Sequence, residues 1–168
     1  MPANTESYTN DFLGLISANE RLIYKVCRVY EHDTDSRQDL FQEIVLQAWS
    51  AYPRYRHAAT FSTWLYRIAL NTAITFQRKS KKNIVTSVAE LPDVHPATSV
   101  VAQEKYELMY ELIASLPAME KALIVLYLDD YPYREIADML GISESNVGTK
   151  LARIKEKLRK QAAVLSNV

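Results

Sequence analysis

The sequence is short of the residues that turn-rich folds, disulfides and membrane anchors require. It has 3 glycines among 168 residues, too few for a turn-rich all-β fold. Its one cysteine, Cys27, cannot form an internal disulfide, which indicates a reducing compartment. No run approaches the ~20 apolar residues that cross a membrane, and residues 1–10 lack a signal-peptide core. We therefore expect a helical, cytoplasmic protein that does not insert into membranes.

The sequence also lacks the motifs of an enzyme or a metal site. His32, His57 and His95 are scattered, and no pair has the spacing of metal ligands on a helix. There is no glycine-rich phosphate loop and no nucleophile motif. Asp129 and Asp130 are adjacent, but neighbours on a helix point apart, so we interpret them as a helix end. We expect no catalytic residue, no metal site and no cofactor.

Charge is segregated along the chain although the formal net charge is zero. Residues 53–82 carry 7 basic and no acidic side chains, and residues 143–168 carry 6 basic and 2 acidic ones. The segments 1–52 and 83–142 are acidic, with 8 and 10 acidic side chains against 4 and 3 basic ones. A single charge run is typical of a solvated face, whereas two basic blocks on helices indicate contact with nucleic acid.

Helix signals dominate the sequence. Apolar spacing, capping residues and prolines predict seven helices, over residues 9–30, 36–52, 60–82, 100–115, 117–129, 133–140 and 144–164. Pro92 and Pro96 interrupt a stretch without a clear period, which predicts a linker. The predicted fold is therefore all-α, with two small helical domains, 1–82 and 100–168, joined by a linker at 83–99.

The C-terminal segment has the pattern of a helix-turn-helix. Gly141 supplies the positive φ of a tight turn, and Ala137 provides a small residue where the helices cross. One face of the last helix is apolar and predicts a core, with Val147, Leu151, Ile154 and Leu158. The other side carries hydroxyl, amide and basic groups that suit base edges and phosphates, and we predict duplex-DNA contacts by Ser145, Asn146, Thr149, Lys150, Arg153 and Lys160. An amphipathic helix pair in an ordinary bundle is the alternative.

The helix predicted over residues 36–52 carries apolar side chains on two faces. One stripe is predicted to be core and consists of Phe41, Ile44, Val45, Ala48 and Tyr52. Apolar residues also occur among the acids and amides of the other side, which suggests a partner-binding patch. We place in this patch Asp39, Gln42, Glu43, Leu46, Gln47 and Trp49. Coverage of these residues by a neighbouring helix is an equal alternative.

The acid-free block interleaves aromatic and basic side chains. Its predicted core stripe is Phe61, Leu65, Ile68, Thr72 and Phe76. Rings on which bases stack, combined with cations that follow the backbone, suit single-stranded nucleic acid. We predict such contacts for Tyr55, Arg56, His57, Thr63, Trp64, Arg67, Asn71 and Arg78. For Trp64, a place in the core is an equal alternative.

Two segments together resemble a known family. The run DLFQEIVLQAW followed by FSTWLYRIALN is similar to the promoter-melting domain of extracytoplasmic-function (ECF, group IV) sigma factors of bacterial RNA polymerase. The segment SLPAMEKALIVLYLDDYPYREIADMLGISESNVGTKLARIKEKLRK is similar to their helix-turn-helix domain. Both occur in the expected order, and the resemblance extends over about residues 11–160. One departure is Gly148, where such factors often carry a basic residue; glycine there either eases backbone approach to phosphate or lowers affinity.

The resemblance implies partners and roles. It implies binding to core RNA polymerase, through the β′ clamp coiled coil for residues 39–49 and through the β subunit as well. Residues 54–78 are then expected to capture the melted non-template strand of the minus-ten element, and residues 145–153 to read the minus-thirty-five element of promoter DNA. An anti-sigma factor, which holds many such proteins inactive, is a further candidate partner, although the sequence itself does not indicate one.

A helix-turn-helix regulator that acts without polymerase-sigma exchange is the alternative function. It would bind duplex sites tightly and autonomously, with residues 1–82 serving as a sensing or dimerisation domain. The acid-free block at 53–82 argues against it, because a sensor domain needs no such surface. The sigma interpretation instead predicts weak DNA binding in the absence of polymerase.

Overall fold

A computed structural model of the chain describes residues 2–80 and 100–167, and within these ranges it contains helices and no strand. The helices are α1 (Pro2–Ala18), α2 (Glu20–Tyr30), α3 (Thr34–Ala51), a single 3-10 turn (Tyr52–Arg54), α4 (Phe61–Ser80), α5 (Val100–Ala114), α6 (Ala118–Leu128), α7 (Tyr133–Leu140) and α8 (Glu144–Ser166). The chain divides after Val85 into two compact units. The all-α prediction with a C-terminal helix-turn-helix is confirmed. The predicted linker, 83–99, and the predicted end of the third helix at residues 81 and 82 lie outside the described residues.

The first predicted helix, over residues 9–30, is wrong because the structure has two helices there. α1 begins seven residues earlier than expected, and the break falls at Asn19, whose φ of −114° and ψ of 15° are not helical. The Asn19 side chain donates to the Leu15 carbonyl oxygen at 2.8 Å and accepts from the Ser62 hydroxyl at 2.6 Å. The break is therefore tied both to the end of α1 and to the start of α4.

Side-chain caps fix where α3 and α4 begin. The Asp33 carboxylate accepts from the Ser36 backbone N–H at 2.8 Å, and this hydrogen bond lowers the pKa of Asp33 below its usual range. The Thr60 hydroxyl accepts from the Thr63 N–H at 3.3 Å in the same way. Each cap satisfies a donor that a helix start leaves without an intrahelical partner.

The core of the N-terminal unit forms where α2, α3 and α4 pack on one another. Its fully buried side chains include Ile23, Val26, Cys27, Tyr30, Leu40, Ile44, Ala48, Leu65, Tyr66, Ala69, Leu70 and Ala73. Burial raises the pKa of the Cys27 thiol to about 12, with the nearby Glu31 charge adding to the effect. Because the thiolate is the reactive form, Cys27 behaves as a small core residue.

The core stripes predicted for these helices are partly wrong. In α3 the buried row is Leu40, Ile44 and Ala48, whereas Phe41 and Val45 are only half-buried. In α4 the buried residues include Tyr66, Ala69, Leu70, Ala73 and Ile74, while Ile68, Thr72 and Phe76 are half-buried. Apolar residues lie on more than one side of both helices, so the predicted stripes were displaced to one side of the true core face.

The C-terminal unit builds its helix-turn-helix from α7 and α8, with α6 packed against both. Gly141 has a φ of 68° and a ψ of 36°, and its N–H and that of Ile142 both donate to the Ala137 carbonyl oxygen. The Ser143 hydroxyl then caps α8 by accepting from the Asn146 N–H at 3.2 Å. Buried side chains of this unit include Leu123, Leu126, Ile136, Ala137, Met139, Val147, Leu151 and Ile154. The predicted bounds of α7 and the predicted Ser143 cap are confirmed.

We expect Gly141→Ala to destabilise the C-terminal unit by about 1–2 kcal/mol, since a Cβ disfavours the left-handed conformation. A Cβ at Gly141 would meet nothing within 4 Å, so the cost comes from the backbone and not from a clash. Gly141→Asn should cost less, because asparagine tolerates this conformation. Amide hydrogen exchange of α7 and α8 measures both losses, and equal protection in parent and Ala variant would contradict the prediction.

Candidate functional site

An open apolar groove lies between α1 and α3. It has a volume of about 390 Å³ and is lined by Thr9, Phe12, Leu13, Phe41, Gln42, Val45, Leu46 and Trp49. Leu13 and Leu46 are 53% and 55% exposed. Contiguous apolar surface of this kind is typical of a protein-protein contact. We call these eight residues the α1–α3 groove.

Three of the six residues predicted for partner binding line this groove, namely Gln42, Leu46 and Trp49. The remaining three, Asp39, Glu43 and Gln47, lie on α3 outside the lining, and the Gln47 side-chain amide donates to the Glu43 carboxylate at 2.9 Å. Neighbouring α1 does not cover Leu46, so the alternative of a fully buried patch does not hold for it. The other wall of the groove includes Phe12 and Leu13, which the sequence prediction did not assign to any surface.

Rings cluster around the end of α3 and the loop that follows. Tyr55 lies 4.9 Å from Trp64 and 4.3 Å from His57 between ring centroids, and its hydroxyl donates to the Ala59 carbonyl oxygen at 2.7 Å. His57 has a φ of 58°, a conformation that L-residues adopt at a cost. The loop between the 3-10 turn and α4 is thus held in one shape by Tyr55 and His57.

Tyr52, which the sequence pattern placed only in the core, belongs to the same cluster of rings. It is half-buried, and its ring lies 4.9 Å from Tyr8, 5.1 Å from Phe12 and 6.3 Å from Trp64. Burial raises the pKa of the Tyr52 hydroxyl, and the neighbouring Tyr8 and Asp11 reinforce the shift. The aromatic residues at positions 8, 12 and 52 are the sequence signal that could have revealed this cluster.

The outer face of α4 presents the predicted single-strand residues in a row. Arg67, Asn71 and Arg78 are exposed, while Thr63 and Trp64 are half-buried. Trp64 is therefore neither a free surface ring nor a core residue: it packs at 5.3 Å on Phe61 and keeps part of its surface open. Arg56 and His57 are exposed in the preceding loop. Rings and cations occur together here, as stacking on unpaired bases requires.

The outer face of α8 gathers the predicted duplex residues. Ser145, Asn146, Thr149, Arg153 and Lys160 are exposed, and Lys150 is half-buried. The Thr149 hydroxyl donates to the Ser145 carbonyl oxygen at 3.1 Å. The Lys160 ammonium lies 3.8 Å from the Glu156 carboxylate, one turn earlier. The short polar groups lie at the helix start and the cations follow along it.

Gly148 lies beside α7, the other helix of the helix-turn-helix. A Cβ there would meet the ring of Tyr133, at 3.5 Å from Cε2 and 3.8 Å from Cδ2. The glycine faces the first residue of α7, and its two proposed effects on phosphate binding stay predictions.

Comparison with known proteins identifies both units. The family described as Sigma-70 region 2 matches residues 15–83, and the family described as Sigma-70, region 4 matches residues 106–158. The chain is 29% identical to the ECF RNA polymerase sigma factor SigW of Bacillus subtilis, over 89% of this chain and 88% of the relative. It is 26% identical to the ECF RNA polymerase sigma factor SigM of Mycobacterium tuberculosis, over 92% of this chain and 79% of that one.

Solved structures show the same fold. The sigma factor RpoE of Bartonella quintana, in complex with the anti-sigma factor NepR, matches with a TM-score of 0.68 at 17% identity and covers 95% of this chain and 98% of its own. CnrH, in complex with the cytosolic domain of CnrY, matches with a TM-score of 0.66 at 18% identity, over 93% of this chain and 90% of its own.

We expect Gly148→Ala to stabilise the C-terminal unit by about 0.5–1 kcal/mol, because alanine is the better helix former. The added methyl group reaches ordinary contact distance of Tyr133 and forces no shift. Gly14→Ala, in α1 with nothing within 4 Å, is the matched control and should stabilise the N-terminal unit alone. Faster amide exchange in α8 of the Gly148 variant would show that Tyr133 does not pack as described.

Proposed function

Because the chain belongs to the ECF sigma factors, which bind core RNA polymerase and direct it to promoters, we propose that it is a group IV factor with three separate binding surfaces. The α1–α3 groove binds polymerase. The loop after α3, together with the outer face of α4, captures the displaced promoter strand. The outer face of α8 reads the duplex upstream.

The α1–α3 groove suits the β′ clamp coiled coil. Leu46 and Trp49 give apolar anchors, and Asp39 and Glu43 place carboxylates on the same helix. An exposed apolar centre with a polar surround is the usual composition of such an interface. Binding to the β subunit is proposed on the resemblance, without a surface assigned to it.

The loop and α4 suit unpaired DNA. Tyr55, His57 and Trp64 supply rings, and Arg56, Arg67 and Arg78 supply cations, within a block that contains no acidic residue. Asn71, one turn along from Arg67, and Thr63 add groups that hydrogen-bond to base edges. Stacking on an aromatic ring is worth about 1–3 kcal/mol per base. Because Trp64 is held by Phe61 and Tyr55, it offers a prearranged face to a base.

The outer face of α8 suits the major groove of duplex DNA. A recognition helix contacts bases with its N-terminal residues, and these are Ser145, Asn146 and Thr149. Lys150, Arg153 and Lys160 lie further along the helix, where side chains reach phosphates.

One observation carries the proposal: a single unit combines an apolar groove with an acid-free face of rings and cations, and a second unit supplies the helix-turn-helix. Run-off transcription with core polymerase, with and without this chain, tests it on a promoter library. Promoter-specific transcripts that need both components are expected. Tight duplex binding without polymerase, and no stimulation with it, would favour a regulator of the helix-turn-helix class instead.

We further propose a cytoplasmic protein without enzymatic activity, regulated by an anti-sigma factor. Support for the regulator comes from the structural neighbour RpoE, which was solved in complex with the anti-sigma factor NepR. No helix in the described ranges is both long and apolar enough to cross a membrane.

We expect Leu46→Glu to weaken binding to core polymerase by about 2 kcal/mol, or roughly 30-fold, because it places a charge in the groove centre. Leu46 is 55% exposed, so the helix should remain folded. Leu165→Glu makes the same change at a leucine 50% exposed at the end of α8 and should leave affinity unchanged. Binding titrations with core polymerase measure both, and equal affinities of the two variants would remove Leu46 from the interface.

We expect two residues of α8 to differ in role. Lys160→Ala should weaken binding to all upstream elements alike and lower the salt slope by about one unit, whereas Asn146→Ala should change the preferred bases. Lys157→Ala is the matched control, since the Lys157 ammonium lies 3.7 Å from Glu120 of α6. Holoenzyme selection from a promoter library at two salt concentrations separates the roles. A shifted preference with Lys160→Ala and a uniform loss with Asn146→Ala would reverse them.

A further inference from the structure

Two sets of aromatic rings meet at Tyr52. On one side, Phe12 lies 5.0 Å from Trp49, a lining residue of the α1–α3 groove, and 5.1 Å from Tyr52. On the other side, Tyr52 lies 6.3 Å from Trp64 and 6.4 Å from Tyr55, which belong to the proposed strand surface. The two proposed surfaces of the N-terminal unit are therefore connected by ring contacts through one residue.

Backbone hydrogen bonds hold Tyr52 between the end of α3 and the loop that follows. Its N–H donates to the carbonyl oxygens of Ala48 and Trp49, which ends α3. Its own carbonyl oxygen accepts from the Tyr55 N–H at 3.0 Å, which closes the 3-10 turn. These hydrogen bonds fix the backbone of Tyr52, so that its ring is placed to contact the rings on both sides.

The ring on the groove side of this cluster is accessible to a partner, whereas the ring on the loop side is already engaged within the chain. Trp49 is 36% exposed, so a partner that fills the groove contacts its ring and fixes its orientation. Tyr55 is held by the Ala59 carbonyl oxygen and carries the His57 ring. Aromatic pairs are worth about 0.5–1.5 kcal/mol beyond the area they bury, and close-packed groups transmit displacement rather than absorb it.

We propose that Tyr52 is a positioning residue that couples polymerase binding in the groove to the placement of Trp64 and Tyr55 for the displaced strand. This inference rests on the proposed function of the two surfaces. By reciprocity, a bound strand strengthens polymerase binding by the same factor. The ring of Tyr52 is the required part, since it makes the contacts on both sides, and the hydroxyl is not.

The two tryptophans of the chain, Trp49 and Trp64, provide a reporter at each end. Two single-tryptophan proteins, Trp49→Phe and Trp64→Phe, keep an aromatic ring at both positions. Each is labelled with 5-hydroxytryptophan, which is excited selectively in the presence of the polymerase tryptophans, and is titrated with unlabelled core polymerase. Emission and acrylamide quenching are recorded in the parent, Tyr52→Phe and Tyr52→Leu backgrounds.

We expect polymerase to change the signal of Trp49 in all three backgrounds, and that of Trp64 in the parent and in Tyr52→Phe but not in Tyr52→Leu. Permanganate footprinting should show about tenfold less promoter opening with Tyr52→Leu and normal opening with Tyr52→Phe. The retained Trp49 response shows that Tyr52→Leu is folded and binds polymerase. Should that variant fail to fold, Tyr52→Met makes the same test with a flexible apolar chain.

Two outcomes overturn the coupling without touching the proposed function. A Trp64 response that persists in Tyr52→Leu would mean that polymerase acts on Trp64 directly, and a silent Trp64 in the parent would mean that nothing reaches it. A silent Trp49 in the parent would instead refute the groove as the polymerase-binding surface, and the coupling would fall with it.

Discussion

The packing of α3 against α4 is the constraint on which the surfaces of the N-terminal unit depend. Each helix buries a row at i, i+4 spacing, with Leu40, Ile44 and Ala48 in α3 and Leu65, Ala69 and Ala73 in α4. Once these rows face inward, residues further along the chain point to other sides of each helix, turned by about 100° after one residue and about 200° after two. Phe41 and Val45 then reach the groove beside α1, and Arg67 and Asn71 remain exposed on α4. The separation of the proposed polymerase-binding surface from the proposed strand-binding surface is a geometric result of this one contact.

The same contact explains where prediction from sequence succeeded and where it failed. α3 has apolar residues on its core side and on its groove side, so the period alone could not distinguish Leu40 from Phe41 as the core residue. The break at Asn19 depends on a hydrogen bond from Ser62, which is distant in sequence. In the C-terminal unit, Gly141 and Ser143 act on their own neighbours, so local signals were sufficient to place α7 and the start of α8.

Charge segregation matters more than the zero net charge. The cations of α8 have acidic neighbours, with Lys157 near Glu120 and Lys160 near Glu156, but exposed pairs of this kind contribute at most about 1 kcal/mol. At Lys160, whose side chain is 76% exposed, a phosphate can therefore replace the carboxylate at little cost, whereas Lys157 is 45% exposed and lies beside Glu120 of α6. The acid-free block at 53–82 has no such internal competition from its own segment. The proposed strand surface of this block therefore has its 7 basic side chains available to phosphates.

On the proposed assignment, sequence choice by α8 comes from few groups, because the Ser143 and Thr149 hydroxyls at its start are already engaged and Ser145 and Asn146 remain. The Ser143 hydroxyl caps the helix, and the Thr149 hydroxyl donates to Ser145, which leaves Thr149 an acceptor and a methyl group for a base edge. Asn146 offers an amide, which can pair bidentately with adenine. Each good base contact discriminates by about 1–3 kcal/mol, and two of them distinguish only a short element. On the proposed assignment, α8 therefore needs the proposed strand surface of the other unit to select a promoter, and this requires that both units engage DNA on the same polymerase.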